Sequence, residues 1–399
     1  MMNDKQLEAV EAVKSGSNLF LTGAAGTGKS FTLKAIIAYL ESRGYKYGLT
    51  ALTGCAAVLI GGQTIHSFLY MGINRNLEEI CKTIEKYKTK LSEIRNLNTL
   101  IIDEISMMDN ELFEVINNLL IRVRGINKPF GGVQMILVGD FYQLPPINGD
   151  FCFTSPSWID LNLKKVILTD LIRQKDDNKL QEILSEIRNG KISTESYELL
   201  EGLKKTSFNS CEVKPTRLYP VNVNVDKINQ HEFKKLLKSN DNKQVLYKAF
   251  NLNPRSKEKP DSYDLNLTLN AQVMVIRNIS IEDKLFNGSR GVVVDLKETS
   301  VIIKDINNNL HCIDYYTDVI NKQKGISFMP LKLAYAISIH KAQGASIDYL
   351  ELDLGDDIFI SGQLYTALSR ATNINNIKIS NLSKLSFIQN DKVKNFYSN

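Results

Sequence analysis

Cysteine is scarce and scattered. Cys55, Cys81, Cys152, Cys211 and Cys312 are the five in 399 residues. No CxxC pair and no Cys/His cluster occurs among them, which argues against a disulfide framework and against a zinc site. Their odd number and wide spacing suggest a reducing compartment. Long hydrophobic runs are missing too, and no stretch approaches the roughly 20 apolar residues of a membrane span. The opening MMNDKQLEAVEAV is polar and helix-like, so no signal or transit peptide is expected there. No repeat of solenoid period is present. Neither sign of charge dominates: the net charge is +5, compatible with a polyanionic partner without requiring one. A soluble protein with no membrane association is the expectation, cytoplasmic in a bacterial or viral host cell, and nuclear or mitochondrial only if the source is eukaryotic. A hydrophobic fraction of 43% over this length suggests roughly two to three domains with sizeable cores.

The first 150 residues alternate short apolar runs with longer amphipathic ones. NLFLT (18–22), YGLTA (47–51), TLIID (99–103) and QMILVGD (134–140) read as buried parallel strands. FTLKAIIAYLESRG and ELFEVINNLLIRVRG read as helices closed by Gly44 and Gly125. Strands alternating with helices imply an α/β domain. The pattern restarts after about residue 170 with the helix NKLQEILSEIRNG, ended by Gly190, and then TRLYPVNVNVDKINQHEFKKLL, a strand followed by a helix. NLNPRSKEKPDSY (251–263) is polar, charged and proline-bearing, hence a loop or linker. Short β-like runs follow, AQVMVIRN, GVVVDL, SVIIKD and LHCIDYY, broken by the turns NGSRG and DINNN. They predict a small antiparallel barrel or sheet. LKLAYAISIH resumes the α/β style, so the small β unit is an insertion in the second α/β domain.

Chemistry enters with GAAGTGKS, a G-x-x-x-x-G-K-S from Gly23 to Ser30 between a strand and a helix. Backbone N–H groups of such a loop wrap a phosphate, helped by the helix N-terminus. Lys29 adds a point charge for the β and γ phosphates, and the Ser30 hydroxyl is placed for Mg²⁺. TLIIDEISMM supplies the partner: Asp103 ends an apolar strand where it can hold Mg²⁺ through water, and Glu104 is a candidate general base for the attacking water. An Mg²⁺-dependent nucleoside triphosphatase follows. What the hydrolysis drives does not.

GDFYQLPPI (139–147) bears on that question. In a RecA-like sheet its strand lies beside the one ending at Asp103. Gln143 then sits near the γ-phosphate, on a loop stiffened by Pro145 and Pro146. A polar side chain there can respond to the phosphate and pass that on. With NDKQLEAV, LTALTGCAA, TIHSF, LIRQKD, LQEILSEIRNG, LFNGSRGVVV, LKLAYAISIHKAQGAS and LYTALSRATN also present in order, the sequence resembles, almost end to end, the PIF-type DNA helicases of superfamily 1B, relatives of RecD and Dda. Leu52 stands where the family commonly has proline, and Ala342 where serine is frequent; neither position must do chemistry.

The resemblance implies roles. Gln6 reads the adenine edge. Gly23, Gly26, Thr27, Gly28, Lys29 and Ser30 hold phosphates, with Ser30 and Asp103 on Mg²⁺. Glu104 is the base and Gln143 the γ-phosphate sensor. Arg173 and Arg370 reach the γ-phosphate from the second lobe, each worth about 10³-fold or more in turnover. Two such arginines engage only when the cleft closes, so nucleotide state becomes domain separation. Single-stranded DNA is expected at Thr53, Gly54, His66, Ser67, Phe68, His340 and Lys341, where hydroxyls and neutral imidazoles donate to phosphate. Phe68 either stacks a base or packs in the core. An insertion at about 64–95 is a candidate strand-separating wedge, although NLEEICKTIEKYKTKLSEIRN reads as an ordinary charged helix.

The expected architecture is α/β: two RecA-like P-loop lobes with an inserted SH3-like β subdomain. Residues 1–170 form the first lobe, 171–264 and 331–399 the second, and 265–330 the insertion. The expected activity is ATP-dependent 5′→3′ translocation on single-stranded DNA with duplex unwinding, in DNA replication, repair or recombination. ATP and Mg²⁺ are the cofactors, and single strands and single/double-strand junctions the partners. A monomer is expected, with assembly on DNA left open and single-strand-binding or replisome proteins as candidate partners. Rival readings are a non-unwinding, DNA-dependent ATPase subunit and a remodeller of RNA or RNA/DNA hybrids. A metabolic P-loop kinase is disfavoured, because nothing resembles an acceptor site.

Overall fold

The computed structural model describes residues 2–398 except 72–74, 175, 209–212, 221–224, 242, 254–262, 278, 281–284, 286–287, 306, 322–323, 355–359, 384–386 and 388. The chain forms two compact units. The first comprises Met1–Lys191, Phe359–Ser369 and Phe387–Asn399; the second comprises Ile192–Ile358 and Arg370–Ser386.

In the first unit, β1 (Leu19–Gly23), β2 (Tyr47–Ala51), β3 (Gln63–Thr64), β4 (Thr99–Asp103), β5 (Gln134–Val138) and β6 (Lys164–Leu168) form a six-stranded sheet in the order β3-β2-β4-β5-β1-β6. All its pairings are parallel. Successive side chains of a strand face opposite ways, and here both faces are apolar. Leu19, Leu21, Ile101, Ile136 and Val138 pack with Ala9, Val13, Leu33, Ile36 and Leu40 on one face. Phe20, Leu100, Ile102, Met135 and Leu137 pack with Leu112, Phe113, Ile116 and Leu120 on the other. Double burial explains why these strands read as unbroken apolar runs. β6 (KKVIL) went unread, because two exposed lysines open it.

Several sequence readings need correcting. The 64–95 segment holds two longer helices, Leu77–Lys86 and Lys88–Arg95, broken at Tyr87. Their faces Ile80, Cys81, Ile84 and Ile94 lie in the first unit's core. Phe68 is 2% exposed in that same core, with the Lys90 ammonium 3.8 Å above its ring. It is therefore a packing residue, closed to a nucleobase. Residues 359–369 and 387–399, read with the second lobe, pack in the first unit, because their tyrosines and Gln389 bond to it.

The second unit has a parallel sheet ordered Ala336–Ser338, Thr216–Tyr219, Leu350–Leu354, Ile377–Leu382. Its antiparallel sheet is ordered Leu310–Asp314, Ser300–Asp305, Arg290–Leu296, Gln272–Val275, Leu331–Leu333. LKLAYAISIH is thus shared: Leu331–Leu333 closes the small sheet, and Ala336–Ser338 resumes the parallel one. Most of the 251–263 linker lies outside the described residues.

Asn229, on the helix Val225–Ser239, ties that return together. Its Oδ1 accepts from Tyr335 and Ala336 N–H at 3.0 and 2.9 Å, and its Nδ2 donates to Ala336 O at 2.9 Å. Asn229→Ala strands buried backbone groups, at about 1–3 kcal/mol. Hydrogen exchange should accelerate at the amides of Tyr335 and Ala336 while protection of β1, β4 and β5 in the first unit stays unchanged.

Candidate active site

In a parallel sheet the loops that can share a ligand leave from the carboxyl ends of neighbouring strands. Here β1 ends at Gly23, β4 at Asp103 and β5 at Val138 just before Gly139-Asp140. β4 pairs with β5, and β5 with β1, so the phosphate-loop motif, the Asp-Glu pair and GDFYQ emerge side by side.

The loop from Gly23 leads into the helix Lys29–Ser42. Lys29 Nζ donates to Gly23 O at 2.7 Å and Ala24 O at 3.0 Å. Burial lowers its pKa, opposed by the charges of Asp140, Glu104 and Asp103. Gly26 has φ +85°, and a Cβ there would lie 2.7 Å from Arg173 Cβ and 2.9 Å from Gln174 Oε1. Ile172 and Arg173 both donate backbone N–H to Gly26 O, at 2.9 and 3.2 Å. Arg173 is thus part of the first unit, docked on the phosphate loop, which corrects its assignment to the second lobe. Its Nη1 donates to Ser369 O at 2.9 Å.

Gln6 is positioned by a helix cap. Asn3 Oδ1 accepts from Gln6 N–H at 2.9 Å, and Gln6 Oε1 accepts from Asn3 N–H at 3.1 Å, a reciprocal capping box. The carbonyl oxygen is consumed there, which leaves Nε2 buried without a partner. A Cβ on Gly28 would lie 2.8 Å from that Nε2. An orphaned donor beside the phosphate loop fits a nucleobase acceptor.

Asp103 Oδ1 accepts from Glu104 N–H at 2.8 Å. Glu104 has φ 55° and ψ 41°, the left-handed region, which costs a non-glycine residue roughly 1–2 kcal/mol. Such strain persists where surrounding structure imposes it, commonly at functional sites. Burial, then the Glu104 charge, pushes the Asp103 carboxyl up to about 7, against the Lys29 charge.

Gln143 is nearly buried and donates its N–H to Asp140 O at 2.9 Å. Asp140 is 0% exposed and receives Arg188 Nη2 at 3.0 Å. Burial alone would lower the Arg188 pKa, but Asp140, Tyr365 and Tyr397 more than reverse that. Tyr365 OH accepts from the phosphate-loop amide Ala25 N–H at 2.9 Å and donates to Asp140 Oδ2 at 3.4 Å. Asp140, Arg188, Tyr365 and Tyr397 were all missed in the sequence. Arg188 and Tyr365 sit inside recognised segments, LQEILSEIRNG and LYTALSRATN, but Tyr397 has no local signal.

The remaining residues fall into two groups. Thr53-Gly54 and His66-Ser67 follow β2 and β3, adjacent strands. Thr53 Oγ1 accepts from Ala56 N–H at 3.2 Å. Ser67 and Gly54 are exposed, and burial, then Arg75, lowers the His66 pKa, favouring neutral imidazole. His340, Lys341 and Arg370 belong to the second unit. Burial lowers the His340 pKa. Arg370 is 2% exposed, and its carbonyl accepts from Ile347 N–H at 2.9 Å.

The Asp103 shift carries a pH signature. Its folded pKa lies above the ordinary 3.8, so the folded state binds the extra proton and wild-type stability rises as pH falls from about 7 toward 4. Asp103→Asn removes that dependence. Urea denaturation of the nucleotide-free protein at pH 8 should show the variant more stable by about 1–2 kcal/mol, the gap closing by about pH 4.

The comparisons agree with this geometry. The family model described as PIF1-like helicase matches residues 1–198. An ATP-dependent DNA helicase Pif1 of Bdellovibrio bacteriovorus is 32% identical over 99% of this chain and 91% of its own length. The ATP-dependent DNA helicase PIF1 of Homo sapiens is 33% identical over 100% of this chain and 63% of its own length, so the chain spans less than two thirds of that relative. The Pif1 helicase of Candida albicans superposes with a TM-score of 0.81 at 29% identity, covering 100% of this chain and 99% of that one. A Bacteroides sp Pif1 in complex with ADP-AlF4 gives 0.84 at 25%, covering 100% and 96%. With its nucleotide loop, acidic pair and GDFYQ segment on adjacent strands, and with the Bdellovibrio helicase matched over nine tenths of its length at 32% identity, the chain belongs to the PIF1-like helicase family.

Proposed function

We propose that the protein is an ATP-dependent DNA helicase that moves 5′→3′ along single-stranded DNA and opens duplexes ahead of it. The observation that carries the enzymatic part is the convergence of Lys29, Asp103, Glu104 and the Asp140-bound Gln143 segment at one sheet edge, with Glu104 held in a strained backbone conformation. Lys29 offsets phosphate charge. Glu104 orients and deprotonates the attacking water. Gln6 Nε2 selects the base. Arg173, fixed against Gly26, places a guanidinium at the loop. Arg370 is proposed as a second arginine needed for turnover.

Mg²⁺ fits this donor set. Among the described residues no group of three or more His, Cys, Asp or Glu could hold a metal alone. A cation at Asp103 and Ser30 must therefore draw further oxygens from elsewhere, and nucleotide phosphates have them; this is how Mg²⁺ is commonly held. When bound, it would neutralise charge developing on the phosphoryl oxygens.

The DNA part is supported by relatives named as DNA helicases and by a Bacteroides Pif1 bound to single-stranded DNA, superposable at a TM-score of 0.70 and 25% identity. Thr53, Gly54, His66, Ser67, His340 and Lys341 are the proposed backbone contacts. ATP hydrolysis should rise at least tenfold with oligodeoxynucleotides and much less with oligoribonucleotides. Glu104→Gln should lower turnover by 10² or more while nucleotide affinity stays within a few-fold. Affinity for the oligomer should fall steeply with salt, as phosphate contacts dictate. Equal stimulation by RNA, or a flat salt response, would remove the DNA assignment.

A further inference from the structure

The helix Asp391–Ser398 sends its side chains into the first unit beside the end of β1. Val393 is 1% exposed. Phe396 stacks on Phe153 at 4.4 Å and meets the Phe141 ring edge-on at 5.2 Å. Lys392 pairs with Asp150. Tyr397 stacks on Tyr142, centroids 4.9 Å apart and planes 12° from parallel. The Arg188 guanidinium lies 4.6 Å from the Tyr142 ring centre.

These contacts leave the Tyr397 oxygen among three polar groups. Thr22 Oγ1 is at 2.7 Å, Phe141 N–H donates to it at 3.2 Å, and Asp140 Oδ1 is at 3.5 Å. A phenol has one hydrogen to donate and two lone pairs. All three contacts are met at once if Thr22 donates, Phe141 donates and Tyr397 gives its proton to Asp140. Burial and the Asp140 charge both raise the Tyr397 pKa, so it stays protonated and able to donate.

The partners matter more than their number. Thr22 immediately precedes Gly23, where the phosphate loop begins. Asp140 and Phe141 begin the segment that carries Gln143. Both sit at carboxyl ends of β1 and β5, which pair only as far as Leu21 and Val138. Beyond that point the ladder stops, and a side chain from a distant helix continues the link.

We propose that Tyr397 is a positioning residue for nucleotide turnover, its phenol locking the start of the phosphate loop to the start of the Gln143 segment. This rests on the proposed ATP hydrolysis. Tyr397 touches no reacting atom in this account; it sets the relative placement of Lys29 and Gln143. Misplacement by a fraction of an ångström slows the chemical step more than it weakens nucleotide binding.

Tyr397→Phe keeps the ring stack and deletes the oxygen. Steady-state hydrolysis should show kcat down about 5–10-fold with KM within twofold. Affinity for a fluorescent ADP analogue in EDTA and the melting temperature should be nearly unchanged. Thr22→Val removes the same bond from the other side, and the double variant should lose no more than the worse single one. Val393→Ala, which loosens the helix without touching the phenol, should lower the melting temperature while leaving kcat within twofold. An unchanged kcat in Tyr397→Phe, additive losses in the double variant, or an equal kcat loss in Val393→Ala would overturn the proposal. Should Tyr397→Phe not fold, Thr22→Val alone decides through its kcat. A folded, nucleotide-binding wild type that hydrolyses nothing would instead reject the enzymatic reading itself, and this inference with it.

Discussion

A carboxylate with no water around it has to be neutralised by what surrounds it, and Asp140 is that group here. Fully buried, it is costly to leave without partners. Arg188 supplies the charge at 3.0 Å, and phenols from two distant chain segments supply hydrogen bonds. Each partner is tied to something else. Tyr365 holds a phosphate-loop amide, Tyr397 holds the end of β1, and Asp140 carries Gln143 through its own carbonyl. One buried charge thereby draws the last residues of β1, the phosphate loop, the Gln143 segment and two late helices into a single arrangement.

That arrangement explains why residues 359–369 and 387–399 belong to the first unit. Chain order would put them with the second parallel sheet. Aromatic burial around Phe141, Phe153 and Trp158 gives the later helix an apolar seat. Polar satisfaction at Asp140 makes the seat specific.

What was legible in the sequence follows from periodicity and local chemistry. β2 and β4 match their expected spans residue for residue; in β4 burial on both faces writes the apolar run. Gly125, at φ 66°, closes its helix as the turn chemistry dictates. Lys29, Asp103 and Glu104 were readable because their motifs lie at strand ends. Less readable were contacts made at a distance. Nothing in LIRQ says that Arg173 docks on Gly26, and nothing in NFYS says that Tyr397 finishes the sheet. Phe68 misled because TIHSF offers a hydroxyl, an imidazole and an aromatic together, whereas helix geometry turns only the ring inward.

The central claim is directional, nucleotide-driven strand separation. It is tested most directly by unwinding of two matched partial duplexes, one with a 5′ single-stranded tail and one with a 3′ tail, with and without ATP. The account predicts ATP-dependent opening of the 5′-tailed duplex alone, abolished in Glu104→Gln. Opening from the 3′ tail, or vigorous DNA-stimulated hydrolysis with neither duplex opened, would contradict it.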